Sequence, residues 1–235
     1  FQKVFMYPDY KLHEQMKCIK ILDLCDPDWL EGAPIKATVD AVDAVTCSSQ
    51  GLVDFIRQIT DKPVVLIPDR FDLNIIPNIK KVYTGKARSV VWFGYRHNSD
   101  LLKPAINLIE KHNLKLTVIS NEKPVFMQYG KEVKFEFVKY DEASIYTELI
   151  KHDFAILPAG NRPIDIFKSD NKTIKANLAG LPVAFDDITL EKYIDPKNRQ
   201  DWFDTNYDII AKEYDVKNSI KQLKELIDEI KSQRN

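Results

Sequence analysis

Four short segments of the sequence combine charged and hydroxyl side chains with turn-forming residues. Each follows an apolar, β-branched run that predicts a strand, and they span residues 23–29, 67–72, 94–99 and 167–172. In open parallel sheets, ligands bind beyond the carboxyl ends of the strands, where loops lead into helices. We therefore expect a binding site to be built from these segments.

The segment 167–172 has the residue types of a phosphate site. Ser169, Asp170 and Asn171 open a predicted helix, and Lys172 lies in its first turn. Free amide groups at a helix start attract phosphate, as does the helix dipole, and Lys172 would add a full positive charge. The alternative is that Ser169 only caps the helix and that the lysines of the segment are solvated.

Gly94 and Arg96 offer a second contact for a phosphate. Gly94 lets the backbone come close to a ligand, and the Arg96 guanidinium can pair with two phosphate oxygens. The segment lacks the more specific G-x-G-x-x-G pattern. A turn that carries an exposed arginine is the alternative.

The other two segments are acidic. Asp26 and Asp28 could hold Mg²⁺ or Mn²⁺ through carboxylate oxygens, accept a proton or bind hydroxyl groups. The intervening proline also makes Asp26 a natural turn residue. Asp69 and Asp72 either line a cleft or shape a turn.

Other chemistries have little support in the sequence. The four histidines, His13, His97, His112 and His152, show no metal-ligand spacing, and G-x-S-x-G, the Walker phosphate loop and C-x-x-C are absent. Hydrolase triads and zinc sites are therefore unsupported. Lys and Arg total 34 and Asp and Glu total 35, so the formal charge is -1. That balance opposes broad contact with a phosphate backbone, and no nucleic-acid partner is expected.

The sequence also bears on the cellular compartment. It contains no uncharged apolar run of the roughly 18–20 residues that a membrane helix needs, and its start lacks the features of a signal peptide. Three cysteines, an odd number, indicate reduced thiols, so we expect a cytoplasmic protein. Because the sequence begins at Phe1, we expect further residues upstream.

Strand and helix patterns alternate along most of the chain and predict an α/β fold. Residues 72–86 break the periodicity and predict a linker, and a second α/β series begins near residue 88 with a helix that Ser99 could cap. We predict two doubly wound lobes with parallel sheets, the first incomplete. The first lobe has predicted strands at residues 1–6, 19–24, 44–48 and 64–68 and predicted helices at residues 30–43 and 51–59.

An apolar stripe at helical spacing predicts a C-terminal helix that packs on a core, with Asp215 as its cap. Its charged face is expected to be solvated. The stripe consists of Val216, Ile220, Leu223, Ile227 and Ile230.

The order of several motifs resembles that of the GT-B glycosyltransferases, and most closely the family-1-like group that uses nucleotide-sugar donors. The second lobe carries the motifs at residues 91–94 (VWFG), 154–158 (FAILP), 168–172 (KSDNK) and 179–184 (AGLPVA). Residues 21–26 (ILDLCD), 43–49 (DAVTCSS) and 65–69 (VLIPD) resemble the closing half of an N-terminal domain. The resemblance implies a partial acceptor-side domain at residues 1–84 and a nucleotide-sugar-binding domain at residues 85–235.

By this resemblance, a diphosphate would lie over the helix that begins near Ser169, and Lys172 and Arg96 would offset its charge. The other donor contacts would come from Gly94, Val138, Lys139, Tyr140, Asp170 and Asn171, with the base near residues 138–140. Asp26, Asp28 and Asp69 would face the acceptor, a carbohydrate or small molecule. No metal or other cofactor is expected, because the helix dipole and the two cations can stabilise the departing diphosphate.

The sequence also departs from the family pattern. Many retaining members carry two glutamates around this helix, and those positions hold Phe167 and Lys175 here. The lysine that often follows the first loop of the second lobe is missing, with Lys103 nearby. Whether transfer would retain or invert the anomeric configuration is therefore left open.

The resemblance leads to the prediction of a cytoplasmic glycosyltransferase that moves a sugar from a nucleotide donor to a glycan or small acceptor. A lipid-linked acceptor at the inner membrane surface is one option. Two alternatives stay open: a non-catalytic nucleotide- or sugar-binding protein of the same fold, and a metal-dependent transferase that uses Asp26 and Asp28.

Overall fold

The computed structural model describes residues 16–125, 127–128 and 131–234. These residues form two compact units. The first contains residues 16–71, 161–170 and 214–234, and the second contains the described residues of 72–160 together with 171–213. The domains predicted from the sequence, 1–84 and 85–235, are continuous stretches, and that division stays a prediction. The strand predicted at residues 1–6 lies outside the described residues.

Strands and helices alternate along the described chain, as predicted. The first elements are β1 (Ile21–Leu24), α1 (Ile35–Asp40), β2 (Ala44–Cys47), α2 (Gln50–Ile56), β3 (Val64–Leu66), β4 (Ser89–Phe93), α3 (Ile106–Lys111), β5 (Lys115–Ser120), β6 (Met127–Gln128) and β7 (Lys131–Glu132). They are followed by β8 (Glu136–Lys139), α4 (Ile145–Leu149), β9 (Phe154–Ile156), α5 (Asn171–Leu178), β10 (Val183–Ala184), α6 (Asp187–Lys192), α7 (Pro196–Glu213) and α8 (Val216–Arg234). Short 3-10 helices occupy Asp28–Glu31, Leu73–Ile75, Arg96–Ala105 and Pro163–Phe167.

The first unit is built on a three-stranded parallel sheet in the order β1-β2-β3. Helix α2 begins after Ser49, whose hydroxyl accepts the amide N–H of Leu52 at 3.3 Å. Val53 and Ile56 lie on the same buried face as Leu52 and join the core of the sheet.

The prediction of one helix over residues 30–43 is wrong in its extent. A 3-10 helix over Asp28–Glu31 ends at Gly32, which has a left-handed backbone with φ +91°. Pro34 then precedes α1. Glycine favours the left-handed conformation that ends a helix, and proline disfavours a helical conformation in the residue before it. The two residues therefore divide what the apolar spacing alone predicts as one helix.

The stripe predicted for the C-terminal helix α8 is only partly buried. Ile230 of this stripe packs against Ala44 in the first unit together with Leu226, which the predicted stripe does not include, whereas Ile220 and Leu223 are 49% and 39% exposed. The helix is also bound by Arg70. Its guanidinium donates hydrogen bonds to Ser219 Oγ at 3.1 Å and to Gln222 Oε1 at 2.6 Å.

The segment 161–170 packs on α2 within the first unit. The Ser49 hydroxyl donates a 2.7 Å hydrogen bond to the Phe167 carbonyl oxygen. The Phe167 ring meets the stacked rings of Trp29 and Phe55 edge-on, with centroid distances of 5.3 and 6.2 Å. A Cβ atom on Gly51 would overlap the carbonyl oxygen of Ile166. Only glycine therefore fits at position 51 without a shift of backbone atoms.

The second unit is built on a five-stranded parallel sheet in the order β10-β9-β4-β5-β8. The strand β4 is buried from Val90 to Phe93, as expected for a strand covered on both faces. This five-stranded sheet and the smaller sheet of the first unit confirm the predicted α/β class with two Rossmann-like lobes. None of the helices in the described chain combines the length and apolar character of a membrane-spanning segment.

Ser99 does not cap a helix, contrary to the sequence prediction. It is buried within the 3-10 helix Arg96–Ala105, and α3 starts only at Ile106. Pro104 lies inside this stretch, where it lacks the N–H that an α-helical hydrogen bond requires. The first regular α-helical turn therefore begins after the proline.

The linker at residues 72–86 is largely irregular, as predicted, but it is firmly packed on the second unit. The Tyr83 hydroxyl donates to the Gly180 carbonyl oxygen at 2.5 Å. Arg199 is fully buried and donates to the carbonyl oxygens of Tyr193, Ile194 and Gly85 at 2.6 to 2.9 Å. These bonds pair the two terminal nitrogens of the buried guanidinium with backbone acceptors, and the bond to Gly85 ties Arg199 to the linker.

Lys81 fastens the linker at a second point. Its amino group donates to the carbonyl oxygens of Ile150 and His152 at 2.6 and 2.8 Å. Burial, and to a smaller extent the nearby charge of Lys81, lower the pKa of His152 to about 4, against the opposing effect of Glu136, Asp153 and Glu148. His152 is therefore neutral in the folded protein at neutral pH.

We predict that replacing Gly51 with alanine destabilises the protein by about 1–3 kcal/mol, because the new Cβ cannot coexist with the Ile166 carbonyl oxygen. Alanine is otherwise the better helix former by about 1 kcal/mol, so the sign of the change reports the docking of residues 161–170. Urea denaturation measures it. Gln50→Ala, at an exposed position of the same helix, is the control and should be close to neutral. A Gly51→Ala protein as stable as the wild type would show that the segment is not docked here.

We predict that His152 makes the protein acid-sensitive. In the unfolded chain its pKa is near 6.5, but in the folded protein it is about 4. The unfolded state therefore binds a proton first, and stability falls as pH drops from about 6.5 to about 4. Replacing His152 with leucine should remove on the order of 1–2 kcal/mol of that fall. Urea denaturation at pH 7 and pH 4.5 tests this, with His97→Leu as an exposed control. An equal fall in wild type and His152→Leu would contradict it.

Candidate functional site

The first turn of α5 meets the end of β4 in the second unit. The Lys172 amino group lies 6.0 Å from the centroid of the Trp92 ring. A Cβ atom on Gly94 would lie 3.6 Å from this amino group and 3.2 Å from the Trp92 ring. The Lys172 amino group therefore lies close to Gly94 at the carboxyl end of the central strand. Gly94 and Lys172, both predicted as contacts of the donor, are thus neighbours in the structure.

One turn further along α5, Lys175 is paired in a buried position. Its side chain is only 8% exposed, and its amino group lies 2.8 Å from Glu142 Oε1. It also donates to the Tyr140 hydroxyl at 3.1 Å and lies over the Tyr140 ring, 5.7 Å from the centroid. The Tyr140 hydroxyl in turn donates a short hydrogen bond to Glu142. Three side chains from α5 and the segment after β8 therefore form one connected cluster.

The cluster is charged at neutral pH. Burial opposes the charged form of Lys175, but its hydrogen bonds to Glu142 and Tyr140 outweigh burial and raise the pKa of Lys175 above its ordinary value. Burial likewise opposes the ionised form of Glu142, yet the hydrogen bonds from Lys175 and Tyr140 lower the pKa of this carboxyl group. A buried ammonium and a carboxylate stabilise each other here.

Arg96 lies in a separate cleft of the second unit. Its backbone N–H donates to Asn121 Oδ1 at 2.9 Å, and its guanidinium pairs with Glu122 at 2.9 Å. The cleft has a volume of about 450 Å³, and Asp100 and Val125 also line it. The predicted contact of Arg96 with a diphosphate stays a prediction, and in the structure its charge is matched by Glu122.

Two predicted site residues meet in the first unit. The Ser169 hydroxyl donates to the Asp69 carboxylate at 2.5 Å. The sequence predicts that this hydroxyl caps a helix or contacts the donor. Helix α5, however, starts only at Asn171. Asp170 groups with the first unit as well. The donor contacts predicted for Ser169 and Asp170, and the acceptor contact predicted for Asp69, stay predictions.

Asp26 and Asp28 flank a buried proline in the first unit. Asp26 is exposed, and Asp28 begins a 3-10 helix. Across the described residues, no group of three or more His, Cys, Asp and Glu side chains is arranged to hold a metal ion. The roles predicted for the two carboxylates stay predictions.

The predicted base segment ends a strand at the carboxyl edge of the second sheet. Val138 and Lys139 close β8, opposite Ile119 and Ser120 of β5. The following residue, Tyr140, donates its backbone N–H to the Ser120 carbonyl oxygen at 2.8 Å. The segment therefore lies at the edge where ligands of such sheets bind.

Sequence reasoning missed Glu142 and the pairing of Lys175 with it. A signal was present, because Lys175 is adjacent to the apolar Ile174 and three residues before Leu178, both buried. A lysine on the apolar face of a helix needs an anionic partner. Identifying that partner required the position of the segment after β8, which local patterns do not supply.

No protein-family model matches the sequence, and no curated protein matches it. Solved structures do resemble it. Sucrose-phosphate synthase from Thermosynechococcus elongatus is 12% identical, with 96% of this chain and 71% of that chain covered and a TM-score of 0.67. TarM is 9% identical, with 91% of this chain and 52% of that chain covered and a TM-score of 0.62.

A third similar structure is Alr3699/HepE from Anabaena, crystallised with UDP and glucose. It is 12% identical, with 88% of this chain and 71% of that chain covered and a TM-score of 0.59. The chain spans about half the length of TarM. The similar structures are GT-B glycosyltransferases, and the comparison confirms the predicted resemblance: the chain has the GT-B fold.

Proposed function

We propose that the protein is a glycosyltransferase that takes its sugar from a nucleoside-diphosphate donor. The observation that carries the proposal is the position of the Lys172 amino group, beside Gly94 at the carboxyl end of β4 and in the first turn of α5. Amide groups at the start of α5 and the Lys172 charge together suit a diphosphate. The UDP and glucose in the HepE structure support this class of ligand.

The proposed catalysis depends on stabilising the group that gains negative charge during sugar transfer. As the bond between the sugar and the diphosphate breaks, the departing diphosphate gains charge, which a fixed ammonium and helix amides stabilise more strongly than they stabilise the bound donor. We assign this role to Lys172. Such a reaction needs no metal ion.

The nucleoside belongs next to the cluster of Tyr140, Glu142 and Lys175. Helix α5 carries both Lys172 and Lys175, so one rigid element holds the proposed diphosphate site and the segment after β8. The proposal keeps Val138, Lys139 and Tyr140 as contacts of the base and Asp26, Asp28 and Asp69 as contacts of the acceptor. A cytoplasmic location is part of the proposal, since all three cysteines are free thiols.

A non-catalytic nucleotide-binding protein is the second candidate. It is favoured by Lys175, which occupies a position where the resemblance implies a glutamate. The two candidates share the donor site and differ in turnover. Release of free sugar or nucleotide from a panel of sugar nucleotides separates them.

We predict that Lys172→Ala weakens binding of a nucleoside diphosphate by about tenfold to a hundredfold, as expected for the loss of a charged hydrogen-bond donor. Calorimetry with UDP, ADP and GDP measures the dissociation constant. The matched control is Lys111→Ala. Lys111 ends α3 at the opposite edge of the sheet, so this variant should bind the nucleotides with unchanged affinity.

Two results would count against this proposal. Wild-type protein that binds none of the three nucleotides would remove the donor site altogether. An unchanged affinity in Lys172→Ala would remove Lys172 from it.

A further inference from the structure

Helix α8 presents a row of apolar side chains that the rest of its unit covers only in part. The α8 ridge, defined here as Val216, Ile220, Leu223 and Ile227, follows spacings of four, three and four residues. Ile220 and Leu223 are 49% and 39% exposed, and the other two are half-buried. At about 1.5 Å per residue, the ridge is about 17 Å long. Single exposed apolar residues are ordinary, whereas a contiguous row of them is typical of an interaction surface.

The first unit occupies one side of the α8 ridge. Leu226 and Ile230 pack against Ala44, and the Ser219 hydroxyl accepts a hydrogen bond from Arg70 at 3.1 Å. In a helix of about 3.6 residues per turn, these three residues of α8 lie on the same side of the ridge. The ridge therefore borders the packed face of the helix, and its other side is left for a different contact.

The other side of the α8 ridge is basic. Lys217, Lys224 and Lys231 recur every seven residues, and all three are exposed. When the ridge residues are assigned to heptad positions a and d, these lysines take position e, which borders the seam between two paired helices. The Lys217 amino group lies 3.7 Å from Asp215. The Lys231 amino group lies 3.4 Å from Asp228. Such exposed ion pairs contribute little to stability, so both lysines can pair with a partner instead.

This charge pattern fits an acidic helix better than a second copy of α8 or a lipid surface. The carboxylates of α8, which are Glu225, Asp228 and Glu229, take heptad positions f, b and c, away from the seam. A second copy would therefore bring lysines and no carboxylates to the basic side, and like charges would oppose the pairing. A lipid surface requires an apolar face and positive charge, but it does not require the seven-residue register that the ridge and the lysines share.

We propose that the α8 ridge binds an amphipathic helix of a partner protein. The apolar stripe of the partner helix packs on the ridge, and its glutamate or aspartate side chains pair with Lys217, Lys224 and Lys231. The ridge is shorter than the three to four heptads of an independent coiled coil, so the contact is a helix docked on a folded surface. The surface belongs to the first unit, and its argument does not use the proposed donor site.

Fluorescence anisotropy with the full chain and two labelled peptides tests the proposal. Both peptides have three heptads with leucine at positions a and d. One has glutamate at positions e and g, and the other has lysine there. We expect saturable binding of the glutamate peptide, about tenfold or more tighter than that of the lysine peptide, because only the glutamate peptide complements the basic side of the ridge. Added salt should weaken the binding, since the ion pairs are close to solvent.

Two variants with matched controls assign the binding to the α8 ridge. Ile220→Ser should weaken binding of the glutamate peptide by about tenfold, because an apolar contact is lost. Its control is Ile209→Ser, since Ile209 is an exposed isoleucine of α7 in the second unit. Lys224→Glu should weaken binding of the glutamate peptide and strengthen binding of the lysine peptide. Its control is Lys221→Glu, because Lys221 is exposed but takes position b and should change either affinity by less than about twofold.

Several results would overturn the proposal. Absence of saturable binding of the glutamate peptide would do so, as would losses of affinity as large in the two controls as in Ile220→Ser and Lys224→Glu. Sedimentation of the wild type as a dimer that Ile220→Ser dissociates would assign the ridge to a second copy of this chain. Binding to phosphatidylglycerol vesicles that Ile220→Ser abolishes, without binding of the peptide, would assign the ridge to a lipid surface.

Discussion

The arrangement of the proposed donor site depends on one buried charge, the amino group of Lys175. An ammonium group with so little exposure is costly to bury without an opposite charge close by. Glu142 supplies the opposite charge from the segment after β8. Any conformation that moves this segment away from α5 leaves the Lys175 ammonium group without its carboxylate partner. The ion pair therefore holds the edge of the sheet against the helix that carries Lys172.

The same pair alters how the resemblance to glycosyltransferases applies. The family pattern leads one to expect a carboxylate on the helix at the position of Lys175. In this structure the charge on the helix is reversed, and the carboxylate of Glu142 approaches from a different element. A negative group is thus retained near the segment of Val138, Lys139 and Tyr140. A local sequence comparison that looks only at the helix would count the carboxylate as lost.

Patterns that depend on neighbouring residues could be predicted, and those that depend on distant ones could not. The buried run of β4 and the cap at Ser49 follow from local apolar spacing and hydroxyl chemistry. The buried face of α8 does not, because the helix packs on Ala44 and binds Arg70, which is about 150 residues away in the sequence. The meeting of Ser169 with Asp69 is likewise a contact between distant segments. Periodicity identifies elements, but such contacts decide which face or side chain is used.

The division of the chain between its two units has a consequence for biosynthesis. The first unit needs residues 214–234, since Leu226 and Ile230 of α8 complete its packing against Ala44. During synthesis, β1 to β3 leave the ribosome long before α8 exists, whereas all residues of the second unit described here are made before that helix. The surface of the N-terminal sheet around Ala44 therefore stays uncovered until residues 214–234 have been synthesised.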